Sequence, residues 1–187
     1  MKIISGKYKG LVLKTIDSMN TRPMLQRIKV DAFNILNNYF IYENKVAVDI
    51  FSGSGQLGLE SLSRGIKFCY LNDKSLDVTN IIKTNTRIID ESSYQITNFD
   101  YLDLLSFFKN NNIGIDLLLL DPPFKNIDFY YNTLDYVLSS DILNQYGIVM
   151  CESEIELDFT KYYNKGLKLL QLKKYKNKTL YLLRREE

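Results

Sequence analysis

Histidine and tryptophan are absent from this chain of 187 residues, and it has only two cysteines and three prolines. Without histidine there is no Ser-His or Cys-His nucleophile, and a metal site loses its commonest ligand. Cys69 and Cys151 lie in separate apolar runs without metal-ligand spacing, so both read as reduced core residues and no metal is expected. No apolar run approaches the ~18 residues of a membrane span. The opening Met-Lys-Ile-Ile-Ser-Gly is too short in apolar residues for a signal peptide. A cytoplasmic protein with no membrane partner is therefore expected. A hydrophobic content of 45% with 25% charged residues suits one ordinary globular domain over 1–187.

Net charge is also small, at +2, but it is segregated. Residues 1–30 carry seven Lys/Arg against one acid, and residues 161–187 carry nine against two. The intervening segment is left at −11. Two basic ends converging on one polyanion, around an acidic centre suited to a cationic cofactor, is the functional reading.

Residues 115–120, Ile-Asp-Leu-Leu-Leu-Leu, suit a strand buried on both faces, and Asp121-Pro122-Pro123-Phe124 ends it because neither proline can donate to a ladder. The acid and the ring therefore sit at a carboxyl strand end, where open α/β sheets bind ligands. Upstream, Val46 to Asp49 reads as a short strand that turns through Phe51-Ser52-Gly53-Ser54-Gly55 into a helix. Gly53, Gly55 and Gly58 match G-x-G-x-x-G, which lets the backbone approach a nucleotide closely. Asp73 follows Gly53 by 20 residues, at the end of the next apolar run, where an acid can hold a ribose diol. That spacing fits NAD as well as S-adenosylmethionine.

The remaining pattern alternates. A short hairpin is predicted over 2–13, a helix over roughly 24–40, and strands near 46–50, 67–71, 94–98 and 148–151. Helices are predicted over 56–64, from Ser75 through Ile89, over 101–109 and over 127–140, with a closing hairpin from 167–172 to 179–183. This order implies a mostly parallel sheet with helices on both faces. Asp49, Asp73, Asp100 and Asp121 then end four strands along one edge.

Asp-Pro-Pro-Phe after so apolar a strand resembles the signature of methyltransferases acting on exocyclic amines of nucleic-acid bases. Across nearly its whole length the chain resembles the bacterial 16S ribosomal RNA guanine-966 N2-methyltransferases. The resemblance rests on Ile-Ile-Ser-Gly-Lys-Tyr-Lys-Gly at 3–10, on Arg22-Pro23 and Arg27, and on the run from Asp49 to Gly65. It also includes Asp121-Pro-Pro-Phe124 and Glu152-Ser-Glu154. It implies a Rossmann-like, seven-stranded methyltransferase domain using S-adenosyl-L-methionine, with residues 1–23 forming an RNA-binding hairpin and basic loop. The chain departs from the family at Met24, Gln26, Lys29 and Val30. It also departs at Asn72, where the acid is usual, and at Lys176-Asn177-Lys178, which replaces a turn glycine.

The cofactor site implied comprises Asp49, Phe51, Ser52, Gly53, Ser54, Gly55, Asp100 and either Asn72 or Asp73 for the ribose. For catalysis, Asp121 and the Pro122 carbonyl accept the two N–H groups of the amine, Pro123 stiffens the loop and Phe124 stacks on a flipped base. The carboxylate has to be ionised for this, and nothing in the sequence calls for a raised pKa. Lys7, Lys9, Arg22, Arg27 and Lys29 are the expected phosphate contacts. The expected partner is 16S ribosomal RNA in the assembling small subunit, met by a monomer. Local chemistry leaves adenine N6 in DNA or RNA open as the target, as it does a non-catalytic RNA-binding assembly factor with the same fold.

Overall fold

A computed structural model describes residues 1–15, 26–123 and 126–186. Its frame is a seven-stranded sheet in the order β3-β2-β1-β4-β5-β7-β6. The strands are β1 (Val46–Asp49), β2 (Phe68–Asn72), β3 (Tyr94–Thr97), β4 (Ile115–Leu120), β5 (Leu143–Ser153), β6 (Leu167–Lys174) and β7 (Thr179–Arg185). β1 to β5 run parallel, and β7 and β6 add as an antiparallel hairpin.

The leucine run is buried along its whole length because the two faces take alternate residues. Leu117 and Leu119 face one core with α1 (Gln26–Leu36), α2 (Gln56–Ser63) and α3 (Leu76–Asn85). Leu118 and Leu120 face the other, with α4 (Tyr101–Asn110), α5 (Asp128–Ser139) and the short α6 (Thr160–Tyr163). Each leucine is fully buried, which contributes about 1.5–3 kcal/mol apiece. This double packing produces a continuous apolar run where a one-sided strand would alternate.

Several boundaries differ from the sequence pattern for local reasons. The first helix closes at Leu36, where Asn38 and Tyr39 N–H groups turn back three residues to Ile35 and Leu36. Ile89 reaches the core from a turn beyond α3, so its helical spacing from Ile82 is coincidental. β5 starts at Leu143, well before the predicted 148, because Tyr146 at φ 61 and a register shift opposite 115–117 carry a polar stretch through the ladder. The N-terminal hairpin has a single bridge, Lys2 with Val12, and lies along α2: the Ile4 and Ser5 N–H groups donate to Glu60 at 2.8 and 3.1 Å.

Strand order reverses between β1 and β4, since β1 leads outward to β2 and β3 while β4 leads to β5. Ligands of open α/β sheets bind beyond the strand ends at such a switch point.

Candidate active site

The glycine turn stands at that point. Gly53 and Gly55 have φ of 54° and 81°, in the left-handed region that other residues enter only with strain. Asp49 ends β1, and its Oδ2 accepts the Gly58 N–H at 2.9 Å, tying the first turn of α2 to the sheet. Burial pushes the Asp49 carboxyl up to about 7, against the pull of that N–H. The three glycines differ in what a side chain would meet. A Cβ on Gly53 has no atom within 4 Å, whereas on Gly55 it reaches Leu59 Cδ1 at 3.2 Å. On Gly58 it would lie 2.2 Å from Leu71 Cδ2, so this glycine lets the helix lie against β2.

Asn72 and Asp73, alternatives for the ribose, are separated by their hydrogen bonds. Asn72 is 1% exposed and donates twice, to the Ile50 and Phe99 carbonyls, while its Oδ1 accepts from Thr97 Oγ1 and the Phe99 N–H. All four of its bonding positions are used within the protein, so Asn72 is a strut between strand ends with none left for a ribose. Asp73 accepts Gly53 N–H on Oδ2 at 3.1 Å and Ser75 N–H on Oδ1 at 2.9 Å, which leaves a lone pair on each oxygen. Its pKa is raised by burial.

Asp100 caps α4 through the Leu102 N–H and meets Lys74 at 3.3 Å. Phe51 clusters with Tyr101 and Phe129, ring centroids 5.9 and 5.2 Å away, and neither of those partners was singled out by sequence. The Ser54 carbonyl accepts from Asn85 Nδ2 at 2.8 Å. Gln56 opens α2, is 4% exposed, and neither of its side-chain amide atoms has a hydrogen-bond partner.

On the other side of the switch point, Leu120 pairs with Cys151, which sets Asp121 level with Glu152 on the neighbouring strand. Asp121 is half-buried, Pro122 buried and Pro123 half-buried; Phe124 lies outside the described residues. Burial lifts the Asp121 carboxyl well above the ordinary range, Glu152 adds to this, and Lys178 opposes it. The role expected of Asp121 does not call for this rise, which comes from the surroundings that the fold supplies. Glu152 is 1% exposed and ion-paired with Lys178 from the turn between β6 and β7. Neither Glu152 nor Lys178 was assigned to the site from sequence.

The predicted phosphate contacts divide. Lys29 is fully buried, 3.4 Å from Glu60 and donating to the Lys2 carbonyl at 2.8 Å, so it is a core ion-pair partner and cannot reach RNA. Its pKa is lowered by burial, against the attraction of Glu60. Lys7 and Lys9 are exposed, but Lys7 N–H binds the Ser63 carbonyl at the far end of α2. Eight helical residues, about 12 Å, separate that end from the glycine turn. Arg27 is exposed on α1 and its charge is felt by Asp31 and Tyr175, which hydrogen-bond to each other at 2.9 Å. Arg22 lies outside the described residues. The basic C-terminal end is largely neutralised within the fold: Lys161 and Lys165 meet Asp135, Lys173 meets Asp31, Lys174 meets Glu156 and Arg185 meets Asp141.

This sheet, with a glycine turn at its switch point and a C-terminal antiparallel hairpin, is the Rossmann-like methyltransferase fold. The "Putative methyltransferase yhhF from Escherichia coli" superposes with a TM-score of 0.81 at 22% identity, over 100% of this chain and 98% of that one. The family model described as Conserved hypothetical protein 95 matches residues 1–184. Ribosomal RNA small subunit methyltransferase D of Haemophilus influenzae is 33% identical over 141 residues, 74% of this chain and 69% of that protein. The Escherichia coli K12 protein of the same name is 26% identical over 156 residues, 83% and 76% of the two chains. The chain belongs to this family, Conserved hypothetical protein 95, together with the ribosomal RNA small subunit methyltransferases D.

Proposed function

We propose that this protein methylates the exocyclic N2 amine of guanine 966 in 16S ribosomal RNA, using S-adenosylmethionine. The observation that carries the reading is the placement of Asp121 and the glycine turn on adjacent strands, β4 and β1, at one switch point. A methyl donor held by one therefore lies beside an amine held by the other. The cofactor fits the residues present. Gly53 faces open space, Asp73 keeps a lone pair on each oxygen for a diol, and Gln56 holds an unpartnered amide at the start of α2. Asp49, Phe51, Ser52, Ser54, Gly55 and Asp100 shape the same edge. When bound, it supplies a methyl group activated on a positively charged sulfur.

The chain's own residues do the rest. A purine amine is a poor nucleophile because its lone pair is delocalised into the ring. Asp121 and the Pro122 carbonyl, accepting one N–H each, favour a tetrahedral nitrogen whose lone pair is free to attack. Pro123 limits the loop's freedom, and Phe124 offers the ring for stacking, worth about 1–3 kcal/mol per base. Arg27 and the exposed Lys176 of the hairpin turn are the phosphate contacts assigned among the described residues, and residues 1–23 are assigned to RNA binding within a single domain. The choice of guanine 966 over other exocyclic amines rests on family membership and on the N-terminal hairpin.

Asp121→Asn tests the reading. It should bind S-adenosylmethionine with unchanged affinity in calorimetry and slow single-turnover methyl transfer by ~10²–10³, as loss of other transition-state hydrogen bonds does. Unimpaired transfer would overturn the assignment.

A further inference from the structure

Alternation along the strands sets four ionisable side chains on one face of the sheet. Val48, Leu120 and Cys151 pack into the core of α4 and α5, so the next residues, Asp49, Asp121 and Glu152, turn to the opposite face. Leu180 and Leu182 pack on that opposite face, and Lys178, two residues before Leu180, turns the same way. The register completes the arrangement: Leu180 is paired with Glu152, which is level with Asp121. Three carboxyl groups thus meet at the catalytic edge with one ammonium, on side chains 13% exposed for Lys178 and 0% for Glu152. Two carboxylates side by side, one buried and one half-buried, repel, and one would take up a proton unless a cation offsets them.

We propose that Lys178 is a positioning residue, whose ammonium, anchored by Glu152, offsets the neighbouring acids and so makes the Asp121 carboxylate easier to ionise for accepting from the amine. This deepens the reading of Asp121 as the amine's acceptor and rests on it. Among the described residues, the other groups around Asp121 do not substitute for Lys178. Asp49 from β1 and Glu154 beyond β5 are acids that raise its pKa further, and Tyr130 of α5 is spent on the Glu152 carbonyl at 2.8 Å. Lys178 itself is held above the ordinary lysine value: burial works against its charge, but Asp121 and Glu152 outweigh it.

Two substitutions should act in opposite directions. Lys178→Met removes the positive charge, so Asp121 ionises only at higher pH and the acid limb of the kcat profile moves up by about one unit or more. On that limb, at fixed pH, turnover falls about tenfold. Lys178→Arg restores the limb. Glu152→Gln removes the competing negative charge and should move the limb down. The assay uses the full chain, reconstituting small ribosomal subunits and S-adenosylmethionine with a tritiated methyl group, with cofactor affinity measured by calorimetry and expected to stay constant. Superimposable limbs in Lys178→Met and Glu152→Gln, with Asp121→Asn inactive, would overturn the role of Lys178 alone. Full activity in Asp121→Asn would overturn the reading beneath it. If Lys178→Met fails to fold, Lys178→Gln, which keeps a polar group against Glu152, gives the same test: an unmoved limb contradicts the proposal.

Discussion

The glycines of one motif should separate experimentally into a ligand position and a packing position. In Gly53→Ala the new methyl enters open space on the cofactor side, and the only cost to the fold is a left-handed backbone, about 1–2 kcal/mol. In the proposed site the same methyl stands where the cofactor would approach, so affinity for S-adenosylmethionine should fall by about tenfold or more, roughly 1.4 kcal/mol. Gly58→Ala reverses the balance. Its Cβ would lie 2.2 Å from Leu71 Cδ2 and 3.0 Å from Cys69 Sγ, both fully buried, so the side chains have little room to yield. Overpacking costs about 1–3 kcal/mol, offset by about 1 kcal/mol of helix propensity. A net loss of up to about 2 kcal/mol is expected, with a smaller loss of affinity in the molecules that remain folded. Gly55→Val is a poorer probe because its Cβ turns to Leu59 and Ile82. Urea unfolding and calorimetric titration with S-adenosylmethionine provide the two readouts. Undiminished affinity in Gly53→Ala, or undiminished stability in Gly58→Ala, would refute the reasoning.

Asp49 predicts a pH effect on stability. Its folded pKa, about 7, exceeds the unfolded value near 3.8, so its contribution falls as pH rises through that window. Asp49→Asn should therefore gain on the wild type between pH 4 and 7, by about 1 kcal/mol per unit, and parallel stability curves would contradict this. Lys29→Met leaves Glu60 buried with one partner fewer and should cost about 3–5 kcal/mol in urea unfolding, while the salt dependence of RNA binding stays unchanged. Arg27→Gln should instead leave stability nearly constant and lower the log–log salt slope by roughly 0.7–0.9, a change that titration of RNA binding at several salt concentrations would detect.

The elements set by local pattern were legible in the sequence. The leucine strand with its proline stop, the glycine turn and the alternating order all follow from rules that operate within ten or so residues. The site was legible to the same extent: Asp49, Asp73 and Asp121 could be placed on one edge because each ends its own strand. What escaped depends on partners distant in the chain. Lys29 looks like any lysine until Glu60, 31 residues on, encloses it. Lys178 looks like turn chemistry until the β5–β7 register brings it to Glu152. Asn72 resembles a weakened ribose acid until its four bonds to Ile50, Thr97 and Phe99 are counted. The acid partners of the C-terminal lysines escaped for the same reason, because Asp135, Asp31 and Glu156 reach them only through the fold.

The central claim, amine methylation on small-subunit RNA, is tested most directly by the product. The protein is incubated with assembling small subunits and S-adenosylmethionine labelled in its methyl group, the RNA is digested to nucleosides, and the labelled species is identified by mass spectrometry. Label in N2-methylguanosine, mapped to position 966, is the predicted result. Label recovered only as N6-methyladenosine would contradict the substrate, and no label in any exocyclic amine would contradict the chemistry assigned to Asp121.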